Sequence, residues 1–153
     1  MRVPIVRYTG LALSALFLSV VPKVTRSVQG KPPAVAGIGL GMSAAEVRGA
    51  VGGPEAQQTS LGMIFWEYRV RGITVIWRDD APGAHGIVVS KRIAGQVNGV
   101  SVGDAARSIS SQWGPSVRIR QSGRFLDFSG NGWTLSAEIA GGRAVELTLL
   151  AAH

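Results

Sequence analysis

The feature of this sequence that most constrains its fold is an internal repeat with a period of about 60 residues. Segment 38–47, IGLGMSAAEV, aligns with segment 100–109, VSVGDAARSI, so that Gly103 follows Gly41 by 62 residues. A Gly-Pro stop and several apolar runs then recur in the same order after each segment. A repeat of this length indicates one supersecondary unit used twice, with the apolar faces of the two copies buried together.

Each copy is predicted to begin with a short helix. Ser43-Ala44-Ala45-Glu46 has the spacing of a capping box, in which the Ser and Glu side chains bond free N–H groups at the helix start. Asp104 is the predicted N-cap of the second helix. The stops Gly52-Gly53-Pro54 and Gly114-Pro115 end the two helices, because glycine and proline do not continue them.

The glycines of segment 37–41, GIGLG, resemble a loop that holds a phosphate. A phosphate site requires a Lys or Arg shortly after the glycines, and none follows this segment at close range. In the second copy Ser101 replaces Gly39, whereas Gly99 and Gly103 keep the other two glycines. Segment 37–47, GIGLGMSAAEV, is therefore predicted to be a turn, a short extended piece and a capped helix.

Three strand-like runs follow each helix. In the first copy they are Met63–Val70, Ile73–Arg78 and Ile87–Ile93. In the second they are Val117–Gln121 with Phe125–Phe128, then Trp133–Ile139 and Val145–Leu150. The predicted fold class is α+β, with two α-β-β-β repeats forming one antiparallel sheet, or two abutting sheets, and with both short helices packed on one face.

The first 27 residues have the pattern of an export signal. Arg2 and Arg7 precede an apolar run, Leu11–Val21, whose 11 residues are fewer than the roughly 20 that a spanning helix needs. Residues 1–27 are predicted to be a signal peptide or an uncleaved N-terminal anchor, and 28–36 a linker. The repeats then occupy 37–95 and 96–153. The expected location is periplasmic or secreted, with inner-membrane anchoring as the alternative.

Composition narrows the chemistry. The chain has no cysteine, which excludes disulfides, thiolate metal sites and cysteine nucleophiles. Four of the sixteen basic residues, and no acidic residue, lie within residues 1–26. The net charge of +7 for the whole chain therefore falls to +3 for the remaining residues. The sequence therefore does not predict nucleic-acid binding. Membrane contact is predicted only through an uncleaved N-terminal segment.

No catalytic constellation and no cofactor site are predicted. The chain has two histidines, His85 and the terminal His153, and no Gly-x-Ser-x-Gly segment. Asp79, Asp80 and His85 share the loop RDDAPGAH and could ligate a metal ion, although such a Pro-Gly loop is typical of a solvated turn. Glu67 and Asp127 occupy equivalent repeat positions, either as a carboxylate pair or as separate solvent-facing residues.

Strand aromatics and the arginines beside them are the candidate partner-binding residues, because aromatic and Arg side chains are enriched at protein interfaces. For the strand aromatics, packing in the core is the favoured interpretation, and an exposed aromatic sheet face that binds a partner is the alternative. The candidates are Trp66, Tyr68, Arg69, Arg71, Trp77, Arg78 and Trp133.

Three of these motifs together carry a family resemblance. Gly41-Met42-Ser43-x-x-Glu46-Val47, the stop Gly52-Gly53-Pro54 and the pair Trp66-x-Tyr68 resemble the BamE (SmpA/OmlA) domain. Two such domains in tandem are similar in architecture to the β-lactamase inhibitor protein. The resemblance covers about residues 37 to 150. This chain departs from BamE in having no cysteine to lipidate.

The resemblance implies a function as well as a fold. It implies an exported, non-catalytic module of the bacterial cell envelope that binds another envelope or secreted protein. One alternative is an inhibitor of a secreted hydrolase of the β-lactamase type. Another is a small metal-dependent envelope enzyme that uses Asp79, Asp80 and His85.

Overall fold

The computed structural model describes residues 33–112, 118–122 and 124–152. The predicted signal or anchor segment 1–27, the stop Gly114-Pro115 and His153 lie outside the described residues. The elements, in chain order, are β1 (Ala34–Val35), β2 (Ile38–Gly39), α1 (Ala44–Val51), β3 (Ala56–Ser60), β4 (Met63–Tyr68), β5 (Ile73–Arg78), β6 (Ala84–Val89), a 3-10 helix (Arg92–Ala94), α2 (Ala106–Gln112), β7 (Arg118–Ser122), β8 (Phe125–Gly130), β9 (Trp133–Ala140) and β10 (Arg143–Ala151).

The predicted α+β class is confirmed. Eight strands form one antiparallel sheet in the order β3-β4-β5-β6-β10-β9-β8-β7, and β1 and β2 form a separate hairpin. Four strands follow each helix, so the prediction of three is wrong. Strand β3, AQQTS, is a mostly exposed edge strand without apolar alternation. Strands β7 and β8 are two strands at the segments Val117–Gln121 and Phe125–Phe128, which the prediction counted as one run.

Strand β1 lies inside the segment predicted to be a linker, 28–36. Ala34 pairs with Gly39, and Val35 pairs with Ile38 and is fully buried. A strand of two residues is too short to show an alternating pattern, which is why the sequence did not indicate β1.

The hydrophobic core covers one face of the sheet. One row of directly opposed residues runs through the six middle strands: Trp66, Val75, Ile87, Leu149, Leu135 and Phe128. Opposed residues of an antiparallel pair point to the same face. Val47 of α1 and Ile109 of α2 are buried in the same cluster, as are Val35 and Ile38 of the hairpin. Both helices therefore contribute to one continuous core.

Segment 37–47, GIGLGMSAAEV, adopts the turn, short strand and capped helix that were predicted for it. Ala36 and Gly37 both have positive φ, 50° and 82°, in the β1–β2 turn. The capping box that follows is confirmed: the Ser43 N–H donates to Glu46 Oε2 over 2.7 Å, and the Glu46 N–H donates to the Ser43 hydroxyl over 3.3 Å. The Asp104 carboxylate instead accepts the N–H of Ser101, over 2.8 Å.

Candidate functional site

The four candidate aromatic residues lie in the core. Trp66, Tyr68, Trp77 and Trp133 are each less than one-tenth exposed, and the Trp66 and Trp77 ring centroids are 4.9 Å apart. A partner could contact these rings only if the core opened. Core packing accounts for their positions, so a partner-binding role for the predicted set now depends on its arginines.

Tyr68 ties strand β4 to the end of helix α1. Its hydroxyl donates to the Gly52 carbonyl over 3.1 Å, so the polar tip of the ring is satisfied. Burial raises the pKa of Tyr68, while the positive charges of Arg48 and Arg71 act in the opposite direction. The Arg48 guanidinium also lies 4.7 Å from the Trp66 ring centroid. This cluster holds α1 against the sheet.

The three candidate arginines lie at opposite ends of strand β5. Arg69 and Arg71 belong to the loop that precedes it, where Arg69 pairs with Glu67 over 2.8 Å. Arg78 is the last residue of the strand, and its Nε and Nη2 donate hydrogen bonds to the two Asp80 carboxylate oxygens, over 2.9 and 2.6 Å. This pairing raises the pKa of Arg78. The structure therefore does not bring the predicted site residues together into one surface.

The residues of the alternative metal-site interpretation share a depression but do not form a metal-binding cluster. Asp79, Asp80 and His85 line a shallow depression of about 380 Å³, together with Leu61, Gly62, Met63 and Arg78. Within the described part of the chain, no three Asp, Glu or His side chains come close enough to hold a metal ion. The Asp80 carboxylate also forms a salt bridge with Arg78.

Glu67 and Asp127 do not form a carboxylate pair. Strands β5, β6, β10 and β9 lie between the strands that carry them. Glu67 accepts hydrogen bonds from Gln58 and Arg69, and Asp127 accepts one from the Ser136 hydroxyl over 2.6 Å. Of the two interpretations given for Glu67 and Asp127, the one in which they are separate residues is correct.

The feature that the sequence reasoning missed is the sheet face opposite the core. Phe65, Ile76, Gly86 and Leu150 are directly opposed across β4, β5, β6 and β10, and Val88 lies on the same face. Ile76 is nearly buried, and the other apolar side chains of this set are partly exposed. We name this set the open-face cluster. The sequence indicates this cluster through near-continuous apolar runs, such as IFW at 64–66 and VIW at 75–77, because such runs are typical of strands that are apolar on both faces.

Small hydroxyl side chains surround the open-face cluster. Thr74 and Thr148 oppose Val88 on its two sides, and Thr134 opposes Leu150. Gly86 leaves room for a neighbour, because a Cβ there would lie only 2.7 Å from Leu150 Cδ2. The centre of this face is therefore an apolar strip, and its edges hold hydroxyl side chains together with the carboxylates of Glu67 and Glu146.

Comparison with known proteins identifies the fold alone. No protein-family model and no curated protein sequence matches the chain. An extracellular protein containing a SCP domain from Bacillus anthracis is structurally similar, with a TM-score of 0.59 and 8% identity over 73% of this chain and 44% of that one. A DUF4309 family protein (YjgB) from Bacillus subtilis aligns with a TM-score of 0.45 and 15% identity, over 72% of this chain and 78% of that one.

The chain thus spans less than half the length of the Bacillus anthracis protein. Neither neighbour is described as a BamE-like or β-lactamase inhibitor protein, so that resemblance stays a prediction. No helix among the described residues is long and apolar enough to cross a membrane.

Proposed function

We propose that this chain is an exported binding protein without a catalytic role, which contacts another envelope or secreted protein through the open-face cluster. The observation that carries the proposal is the partial exposure of Phe65, Val88 and Leu150 in the middle of a broad sheet. A sheet face with apolar side chains gains stability when it is covered, and exposed apolar patches mark interaction sites. Covering these residues by a partner would remove them from water.

The placement of the titratable groups supports binding over catalysis. Glu67 and Asp127 are far apart and each has hydrogen-bond partners of its own. Asp80 is held by Arg78 rather than facing a reactive group. A catalytic site needs acids or bases that converge on one point, and Glu67 and Asp127 do not. Asp79, Asp80 and His85 share a depression, but the Asp80 carboxylate is paired there with Arg78.

We also infer that the chain consists of two copies of one unit, as in the BamE-like and β-lactamase inhibitor architectures. Corresponding contacts support this. The bridge Val97↔Val100 follows the pair Val35↔Ile38 by 62 residues. The N–H groups of Gly41 and Gly103 donate to the carbonyls of Ala84 and Ala144, over 2.8 and 2.7 Å. The strand order is symmetric about the boundary between β6 and β10: β3, β4 and β5 on one side correspond to β7, β8 and β9 on the other.

Export is the third part of the proposal. It rests on the basic and apolar pattern of residues 1–27. The structural neighbour of highest TM-score given above is itself an extracellular protein, which agrees with this location. A periplasmic or secreted location, with or without an N-terminal anchor, would give the open-face cluster access to other exported proteins.

The test is a blocking substitution on the open face. Thr148 lies at the centre of that face, so Thr148→Arg would place a long charged side chain where the partner docks. Ser108→Arg, on the exposed side of α2, is the matched control. Tagged chains are crosslinked in the source cells and purified, and the bound proteins are quantified by mass spectrometry.

We expect the original chain and Ser108→Arg to recover the same partner, and Thr148→Arg to recover at least about tenfold less of it. Circular dichroism checks that all three chains are folded. Undiminished recovery by Thr148→Arg, or no recovered partner at all, would contradict the proposal.

A further inference from the structure

Two neighbouring loops at one end of the sheet combine positive charge with exposed aliphatic side chains. Loop 69–72, RVRG, joins β4 to β5, and segment 91–93, KRI, follows β6. We name these seven residues the basic loop pair. They contain four cations and no acid. Val70 is 72% exposed and Ile93 is 77% exposed, which places them among the most exposed large apolar residues of the described chain.

The two loops are fixed against each other by hydrogen bonds. The Ser90 N–H donates to the Gly72 carbonyl over 2.9 Å, and Lys91 Nζ donates to the Arg69 carbonyl over 2.7 Å. The Arg69 carbonyl also accepts the Gly72 N–H over 3.3 Å. A surface ordered in this way loses little conformational entropy when it binds a partner.

Two of the guanidinium groups are also oriented in advance. Arg69 pairs with Glu67 over 2.8 Å and Arg92 pairs with Asp104 over 3.3 Å, yet the two arginine side chains stay 64% and 69% exposed. A guanidinium carries five N–H groups in a rigid fork, so several remain available for an incoming carboxylate. Arg71 makes no hydrogen bond to any described residue.

The charges near the loops decide between two kinds of partner. Three carboxylates contact the basic loop pair: Glu55 accepts the Val70 N–H, Glu67 pairs with Arg69 and Asp104 pairs with Arg92. The local net charge is therefore small. A diffuse anionic surface such as a membrane is attracted mainly by net charge. Oriented guanidinium forks instead favour carboxylates at defined positions on a protein.

We propose that the basic loop pair binds an acidic segment of the exported partner protein. Asp or Glu side chains of that segment pair with Arg69, Arg71 and Arg92, and its apolar side chains cover Val70 and Ile93. The inference rests on the proposed function for the existence of an exported partner, but it assigns a different surface from the open-face cluster.

The test places a photo-crosslinking amino acid, p-benzoylphenylalanine, at position 70 or 93 of the full chain. Position 61 is the matched control, because Leu61 is an apolar residue with 94% exposure at the opposite end of β4. Position 148 reports on the open face. Irradiation in the source cells is followed by mass spectrometry of the crosslinked peptides.

We expect positions 70 and 93 to crosslink to the same peptide, rich in Asp and Glu, and position 61 not to do so. Arg71→Glu should lower the crosslink yield at position 93 about tenfold, because it puts like charges opposite each other. Arg107→Glu, at an exposed position of α2, should leave that yield unchanged.

Three results would overturn the inference: no crosslink at positions 70 and 93, a crosslinked peptide without acidic residues, or crosslinks to lipid. The two proposals fail separately. A protein crosslink at position 148 without any at 70 and 93 keeps the open-face proposal and refutes this one. Crosslinks to an acidic peptide at 70 and 93, with none at 148, support this one and contradict the open-face proposal.

Discussion

At the scale of single residues, glycine determines where two backbone segments can touch. Gly83 has φ of +84°, and a Cβ on it would overlap the Gly41 carbonyl oxygen. The close approach lets the Gly41 N–H donate to the Ala84 carbonyl and the Ala84 N–H donate to the Met42 carbonyl, both over 2.8 Å. These two bonds attach the start of helix α1 to strand β6.

We expect Gly83→Ala to lower the free energy of unfolding by more than about 2 kcal/mol, because it adds a backbone clash to the cost of a positive φ. The matched control is Gly132→Ala, where φ is +78° but a Cβ would have open space. That control should lose only about 1 kcal/mol. Urea denaturation measures both. Equal losses would mean that Gly41 and Gly83 do not touch.

At the scale of an element, helix α1 starts where the capping box directs it. Hydrogen bonds from the Ser43 backbone and hydroxyl lower the pKa of Glu46 below its usual 4.5. A carboxyl group whose pKa is lower in the folded than in the unfolded chain stabilises the fold above the unfolded-state pKa. That stabilisation is lost as the pH falls through the folded-state pKa.

Glu46→Gln should therefore reduce stability at neutral pH and have little effect at a pH well below 4.5, where the carboxyl is protonated in both states. Chemical denaturation at the two pH values measures the difference. In a Ser43→Ala background the pH-dependent part should shrink, because the hydroxyl bond is lost. A Glu46→Gln effect that does not change with pH would contradict the capping role.

Strand β1 leads to a prediction about processing. Ala34-Val35-Ala36 has the small residues of a signal-cleavage site, as does Thr25-Arg26-Ser27 with an arginine between them. Cleavage after Ala36 would remove the buried Val35 and the pairing with Ile38. We expect the mature chain from the source cells to retain residues 34–36, as read by N-terminal sequencing. A mature chain that starts at Gly37 would show that β1 is dispensable.

At the scale of the whole molecule, the two halves share one core. Ile87 of β6 is opposed by Leu149 of β10 across the β6–β10 boundary and by Val75 of β5, and all three are fully buried in the same cluster. Neither half closes this cluster alone. Unfolding should therefore be a single cooperative transition in which tryptophan fluorescence and circular dichroism coincide.

Ile87→Ala should remove about 2–5 kcal/mol of stability while keeping one transition. Val88→Ala, the next residue on the same strand but on the partly exposed open face, should cost less than about 1 kcal/mol. Both are measured in the same denaturation series. Separate transitions for the two halves would contradict a shared core.

Much of the local structure could be predicted, whereas the candidate surfaces could not. The capping box and the strands β4, β5 and β9 follow from spacings within a few residues. Strand β3 could not be predicted, because its polar residues pair through the backbone at the sheet edge. The positions of Val70 and Ile93 on adjacent loops depend on strands β4 to β6 being neighbours, which no local pattern specifies.

The sequence by itself determined the α+β class, the start of α1 and the turn at Gly37, because these depend on hydrogen bonds and backbone angles between residues near each other in the chain. Only the tertiary structure decided that β6 lies against β10, that Trp66 and Trp133 are core, and that Glu67 and Asp127 are far apart. Those features depend on the register of strands distant in the chain, and register is set by how all the apolar side chains pack into one cluster.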